Sequence, residues 1–176
     1  MEIQKTLDHV WQGESTKIAM KISKPTDATK PGLIWLGGFR SDMEGTNALT
    51  MVDEAERLGC SSLRFDYSGH GASGGVFVEG TISRWVDESL AVICQHTSSP
   101  QILVGSSMGG WIALRLVQEL KKIDQLHRLA GLLLIAPAPD FATRLMEPAF
   151  SDEQRKSLYK NGFIEEPSEY SDEPNV

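Results

Sequence analysis

Strand-length apolar runs alternate along this chain with stretches whose apolar residues recur at helical spacing, and that alternation restricts the fold more than any other feature. Gly32 to Leu36, Gln101 to Val104 and Gly131 to Ala136 are short enough to be strands and carry too little polarity for a half-exposed sheet, and Ser61 to Phe65 forms a further strand ending at Asp66. Between them, Ala48, Val52, Ala55 and Leu58 predict a helix stopped by Gly59. Ile82, Trp85, Val86, Leu90 and Ile93 predict another behind Thr81 as N-cap, and Ala113, Leu116, Val117 and Leu120 a third. Strands that are apolar throughout need cover on both faces. The pattern therefore predicts an α/β fold with a doubly wound, mostly parallel sheet. Ile18, Met20 and Ile22 alternate with polar neighbours and add one half-exposed strand near the amino end.

One motif sits at the centre of this pattern. Gly105-Ser106-Ser107-Met108-Gly109 reads G-x-S-x-G, with an apolar run before it and a helical pattern from Gly110 after it. Strand, sharp turn and helix together form the setting of a nucleophile elbow, whose glycines allow a tight turn that lifts the serine hydroxyl clear of the sheet. Ser107 is the candidate nucleophile.

Two further stretches join the elbow in a family resemblance. Gly37-Gly38-Phe39 follows a strand, and Asp66-Tyr67-Ser68-Gly69-His70-Gly71-Ala72-Ser73 has the form D-x-x-G-x-G-x-S after the next. With Gly105 to Trp111, they make the chain resemble the α/β-hydrolases. The longer strings Trp35 to Thr46 and Arg64 to Gly69 look most like the branch of the mitochondrial palmitoyl-protein thioesterases and their bacterial hydrolase relatives. The resemblance implies a serine esterase or thioesterase in which Ser107 forms an acyl-enzyme with a small acyl ester, a thioester or an S-acylated protein. It also implies an oxyanion hole from the N–H groups of Phe39 and Met108, each donor contributing about 3–4 kcal/mol. Neither a metal nor an organic cofactor is implied.

In that family the acid and then the histidine follow the serine, whereas the only histidine after Ser107 is His127, placed by the pattern too far across the sheet to reach it. Asp140, after the last strand, is the candidate acid, and no base is found. The expectation is a chain lacking the last third of the family's domain and truncated after the strand that follows the nucleophile helix. Residues 1–138 would form the hydrolase core, and residues 139–176 the start of a cap or lid segment with an acidic loop. In that segment Phe141, Leu145, Met146 and Phe150 would face an acyl pocket or cover the sheet. The competing reading is a non-catalytic, degenerate module that binds acyl ligands or a protein partner. An early end to the sheet would leave a strand edge open to homo-oligomer formation.

Composition narrows the partners. A net charge of −7 offers no basic stripe for nucleic acid. No apolar run is long enough to span a membrane. Met1 to Lys24 resembles neither a secretory signal nor a transit peptide, so the expected location is cytoplasmic, or mitochondrial for a eukaryotic homologue. Cys60 and Cys94 are far apart and read as reduced core residues. His70 reads as a structural or site-lining residue with catalytic base as the alternative; His9 and His96 read as surface or capping residues. Gly69 to Gly74 matches G-x-G-x-x-G, but Val76 to Gly80 intervenes before any helix, against dinucleotide binding.

Overall fold

The computed structural model describes residues 2–164, in two compact units that divide between Pro139 and Asp140. The first unit is a six-stranded sheet. β1 (Glu2–Trp11) and β2 (Glu14–Ser23) form a hairpin, followed by β3 (Gly32–Leu36), α1 (Thr46–Leu58), β4 (Ser62–Phe65), α2 (Ile82–His96), β5 (Gln101–Ser106), α3 (Met108–Lys122) and β6 (Leu129–Ile135). The order across the sheet is β1-β2-β4-β3-β5-β6. The hairpin and the β2/β4 pair are antiparallel, and the other pairs are parallel. This is the mostly parallel α/β sheet, with helices on both faces, that the alternation predicted.

Side-chain alternation assigns the two faces. Trp35 and Val104 turn toward Ala48 and Met51 of α1, while Ile34, Leu36 and Leu103 join Val86, Ile112 and Leu116 of α2 and α3 in the larger core. Each of these fully buried aliphatic side chains is worth about 1.5–3 kcal/mol. Helix ends follow the sequence signals. The Thr81 hydroxyl accepts from Arg84 N at 3.2 Å, and Gly59 stops α1 in the left-handed region, at φ 76°.

Two readings need correction. The strand β1 was not anticipated: Ile3 and Val10 are exposed while Leu7 and His9 are buried, so its hydrophobic alternation is blurred. The hairpin closes through Gln12 (φ 50°) and Gly13 (φ 90°), the mirror-image turn that suits a two-residue connection. The run Gly131 to Ala136, read as buried, is largely exposed in β6: Leu133 retains 53% of its surface and Ile135 41%. The cause is position, since β6 is the edge strand and pairs with β5 alone.

In the second unit, a π-helical turn (Ala142–Met146) and a 3-10 turn (Glu147–Ala149) precede α4 (Asp152–Asn161). A capping box between Ser151 and Gln154 starts α4. Phe141, Leu145 and Met146, spaced as for an amphipathic helix, instead occupy the π-helical turn and its entry, and are exposed. The acidic stretch Glu165 to Val176 lies outside the described residues.

Candidate active site

Strand β5 ends at Ser106, and the chain turns at once into α3. Ser107 takes φ 52° and ψ −114° at that junction, a conformation that costs an L-residue energy and persists only where its surroundings impose it. Here they do. Ser107 N–H donates to Ile135 O at 2.9 Å, and its carbonyl accepts from Gly110 N at 3.0 Å and Ala138 N at 3.2 Å. Its side chain is exposed and makes no capping bond to α3. The motif glycines are required by contact. A Cβ on Gly105 would lie 2.5 Å from Gly109 O, and one on Gly109 would overlap Leu36 O.

The turn after β3 lies beside this serine. A Cβ built on Gly38 would sit 3.6 Å from Ser107 Cβ. Ser41 closes the turn, donating to Gly38 O from its N–H at 3.2 Å and from its hydroxyl at 2.8 Å. Arg40 occupies the position in this turn that requires positive φ, at 56°. Among the described residues the N–H groups of Phe39 and Met108 have no acceptor, and Met108 N–H belongs to the positive end of a 15-residue helix. The arrangement can hold a negative oxygen beside a hydroxyl.

Buried polar groups brace the same corner. Asp66, at the end of β4, accepts from Met43 N at 2.7 Å and Ala72 N at 2.8 Å, tying the loop after β3 to the loop after β4. Burial pushes its carboxyl above the ordinary value, against the pull of those two donors. Arg64 donates to Met43 O at 2.6 Å and pairs with Glu2 and Glu44. Glu88, wholly buried, accepts from Ser68 N at 2.9 Å and from Arg84 Nε at 3.1 Å. Removing one member of that pair strands the other in the core. Glu88→Ala is expected to lower unfolding free energy by about 3–5 kcal/mol, read from urea denaturation; a loss under about 1 kcal/mol, within ordinary surface-substitution range, would show the pair to be dispensable.

His70 belongs to an aromatic stack. Its ring lies 5.0 Å from Phe77, 5.1 Å from Trp85 and 5.6 Å from Tyr67, and Phe77 in turn stands 5.1 Å from Phe39. The Arg40 guanidinium lies over the Phe77 ring at 5.1 Å. His70 Nδ1 is 3.2 Å from Ser68 O, so the tautomer that donates there leaves Nε2 without a partner among the described residues. Burial holds this imidazole below its ordinary value of 6.5, outweighing Ser68 O, Asp66 and Glu88. The unfolded chain therefore binds a proton that the native one refuses, so the stabilising contribution is complete above pH 6.5 and is lost as the pH falls through the native value. Urea midpoints should drop on acidification, and His70→Phe should flatten that drop. An unchanged slope in the variant would exclude His70 as the source.

The other sequence candidates fall elsewhere. His127 precedes β6 at the opposite end of the strands from Ser107, about 20 Å away at 3.3 Å per residue; the separation runs along the strands rather than across the sheet. Asp140 lies in the second unit, its carboxylate 3.5 Å from Arg144. His9, read as a surface or capping residue, is a buried strand residue with Nε2 3.0 Å from Asp87 Oδ2. Gly69 to Gly74 leads into a 3-10 turn, Phe77–Glu79, rather than a helix. Among the described residues no three His, Cys, Asp or Glu side chains converge as a metal set, and no helix is long and apolar enough to cross a membrane. Sequence reasoning passed over the roles of Phe77, Arg40 and the Arg84–Glu88 pair. Only the last had a signal, its i, i+4 spacing on an otherwise apolar helix face.

A mostly parallel sheet whose β5 turns sharply into α3 at a G-x-S-x-G motif is the fold of the α/β-hydrolase class. Residues 36–159 match the Hydrolase_4 family, described as serine aminopeptidase S33, and the chain belongs to that family. Palmitoyl-protein thioesterase ABHD10, mitochondrial, from Pongo abelii is 36% identical over 151 residues, covering 85% of this chain and 47% of that protein. The Homo sapiens protein of the same name is 35% identical over the same share. The chain thus spans about half the length of the curated relatives it matches. A solved hydrolase from Agrobacterium vitis S4 superimposes with a TM-score of 0.89 at 50% identity, covering 99% of this chain and 67% of that one. Mouse α/β-hydrolase domain-containing protein 10 gives 0.78 at 31% identity, covering 96% and 62%.

Proposed function

We propose that this chain carries the nucleophile and oxyanion hole of a serine hydrolase that cleaves carboxylic esters or thioesters. The observation that carries the reading is the strained, exposed Ser107 beside the Gly38–Ser41 turn. Ser107 Oγ attacks the acyl carbonyl, and the carbonyl oxygen takes up negative charge between the N–H groups of Phe39 and Met108. The tetrahedral intermediate collapses, the alcohol or thiol departs, and water later releases the acid. Two free amides, one at the start of α3 and one in the turn after β3, support that assignment, because they need no rearrangement as charge develops. The names of the relatives favour a thioester, and among thioesters an S-acylated protein, as substrate.

A serine hydroxyl needs a general base, and among the described residues no histidine hydrogen-bonds the Ser107 side chain. The proposal therefore assigns full turnover to a protein that also contains the part of the relatives this chain does not match. Asp140 is proposed as an acid only within that longer protein. The chain alone should retain weak reactivity, on the order of 10³–10⁴-fold over water when a triad member is missing but the oxyanion hole remains. The missing base and the open β6 edge also favour the second reading, a non-catalytic module whose edge strand pairs with a partner or a second copy. Fluorophosphonate labelling followed by peptide mass mapping separates the two. Adduct on Ser107 supports the hydrolase, and failure to label in both the chain and its longer form leaves the module.

A further inference from the structure

At the other end of the sheet lies a cavity of about 340 Å³, remote from Ser107. It is built where β2 ends, where β3, β4 and β5 begin, and where α2 stops, and about 20 Å of strand separate it from the elbow. Its charged lining is unlike the rest of the molecule. The chain carries a net charge of −7, yet the cavity is bordered by Lys24, Lys30 and His96 and by no carboxylate. Hydroxyls of Ser61, Ser98 and Thr97 add polar groups around them.

Two of these groups lack partners. The Lys24 ammonium makes no ion pair or hydrogen bond among the described residues, and His96 Nε2 is buried without an acceptor or donor. Lys30 is only partly engaged, 2.7 Å from Leu58 O and 3.6 Å from Asp27. Asp27 is itself taken up by Thr29, whose N–H and hydroxyl both donate to it. The carbonyl end of α2 would repel an anion, but it is already occupied: Thr97 donates to Ile93 O through its hydroxyl at 2.7 Å, and Arg128 donates to Thr97 O at 2.9 Å. Lys5 stands near enough to His96 to act on its titration. Three cationic or protonatable side chains, Lys24, Lys30 and His96, thus border a space lined by alcohols, with one satisfied carboxylate nearby.

We propose that this cavity binds the phosphate group of a small phosphate monoester, with Lys24 and Lys30 as counter-charges and His96 Nε2 as a hydrogen-bonding partner. A tetrahedral dianion offers several acceptor oxygens, which matches converging ammonium, hydroxyl and imidazole donors better than a planar carboxylate does. The volume lies at the small end of ligand pockets and admits a compact molecule only. Nothing in this proposal depends on Ser107 being catalytic.

His96 supplies the readout. Burial and Lys5 hold its imidazole below the ordinary 6.5, and a bound dianion should raise it. The test is a titration of the full chain with inorganic phosphate at constant ionic strength, following the His96 ring protons by NMR, with chloride as control. The expected result is a saturable shift with a dissociation constant of about 1 mM and a rise in the His96 pKa. Lys24→Ala should weaken binding about tenfold, as loss of one charge-assisted contact does. Lys17→Ala, on an ion pair elsewhere, should leave it unchanged. Vesicles of phosphatidylcholine with and without phosphatidic acid distinguish a lipid headgroup from a soluble ester: co-sedimentation only with phosphatidic acid, lost in Lys24→Ala, points to the headgroup. Equal shifts with chloride and phosphate, or undiminished phosphate binding in Lys24→Ala, would overturn the proposal.

Discussion

Replacing Ser107 with alanine is expected to abolish covalent capture of the chain by a fluorophosphonate and, in a longer protein able to turn over, to lower kcat by about 10⁶-fold. That is the cost of deleting the nucleophile in a well-studied serine hydrolase. Fold should survive the change, since the exposed hydroxyl caps nothing and the alanine keeps the backbone bonds to Ile135, Gly110 and Ala138. Ser107→Gly makes a sharper case. It removes the same hydroxyl but relieves the backbone strain at φ 52°, and should therefore raise unfolding free energy by about 1 kcal/mol while losing all labelling. Stability gained and reactivity lost at one residue is the mark of strain kept for chemistry. A glycine variant no more stable than the parent would mean the elbow is not strained, and labelling that persists in either variant would move the nucleophile elsewhere.

Most of the sheet could be read in the residues because each central strand must be apolar on both faces. Ile34, Leu36 and Leu103 pack toward α2 and α3 while Trp35 and Val104 pack toward α1, so apolar residues dominate and the runs stand out, with paired Arg64 in β4 an exception. The hairpin strand β1 escaped notice for the converse reason. At the sheet edge only Leu7 and His9 of β1 are buried, and a histidine does not register as an apolar position. The same logic misjudged β6. Leu132-Leu133-Leu134 is as apolar as a central strand, and periodicity records what a strand could bury rather than what covers it.

The elbow was legible because its chemistry needs particular residues at fixed spacing. Its supports were not. Phe77 stands 38 residues beyond Phe39 in the sequence yet packs against it edge to face, and Glu88 holds Ser68 N–H from a helix a full loop away. Such contacts come from the winding of the chain, and a single sequence carries no local mark of them. His70 shows the limit most clearly. Its Gly-rich setting kept a catalytic role open, and only the structure shows the ring packed against Tyr67, Phe77 and Trp85, with burial pulling its pKa below the ordinary value.

Gly109→Ala should be the most destabilising single-methyl change in the chain, costing more than about 4 kcal/mol and measurable as a collapse of the urea midpoint. Alanine inside a helix normally gains up to about 1 kcal/mol over glycine, and Gly109 lies in the first turn of α3, so propensity alone predicts the opposite sign. Contact decides the matter. The new methyl would overlap Leu36 O and come within 2.6 Å of Gly37 O. Both are backbone atoms at the end of β3, and they cannot swing aside as a side chain would. The end of β3 or the start of α3 must give way, and with it the spacing between Ser107 and the Gly38–Ser41 turn. Gly13→Ala calibrates the result. Its φ is 90° but no atom lies within 4 Å of the added Cβ, so only backbone strain is paid there, about 1–2 kcal/mol. Equal losses at the two positions would show that α3 is not seated against β3, and the proposed oxyanion hole would lose its structural basis.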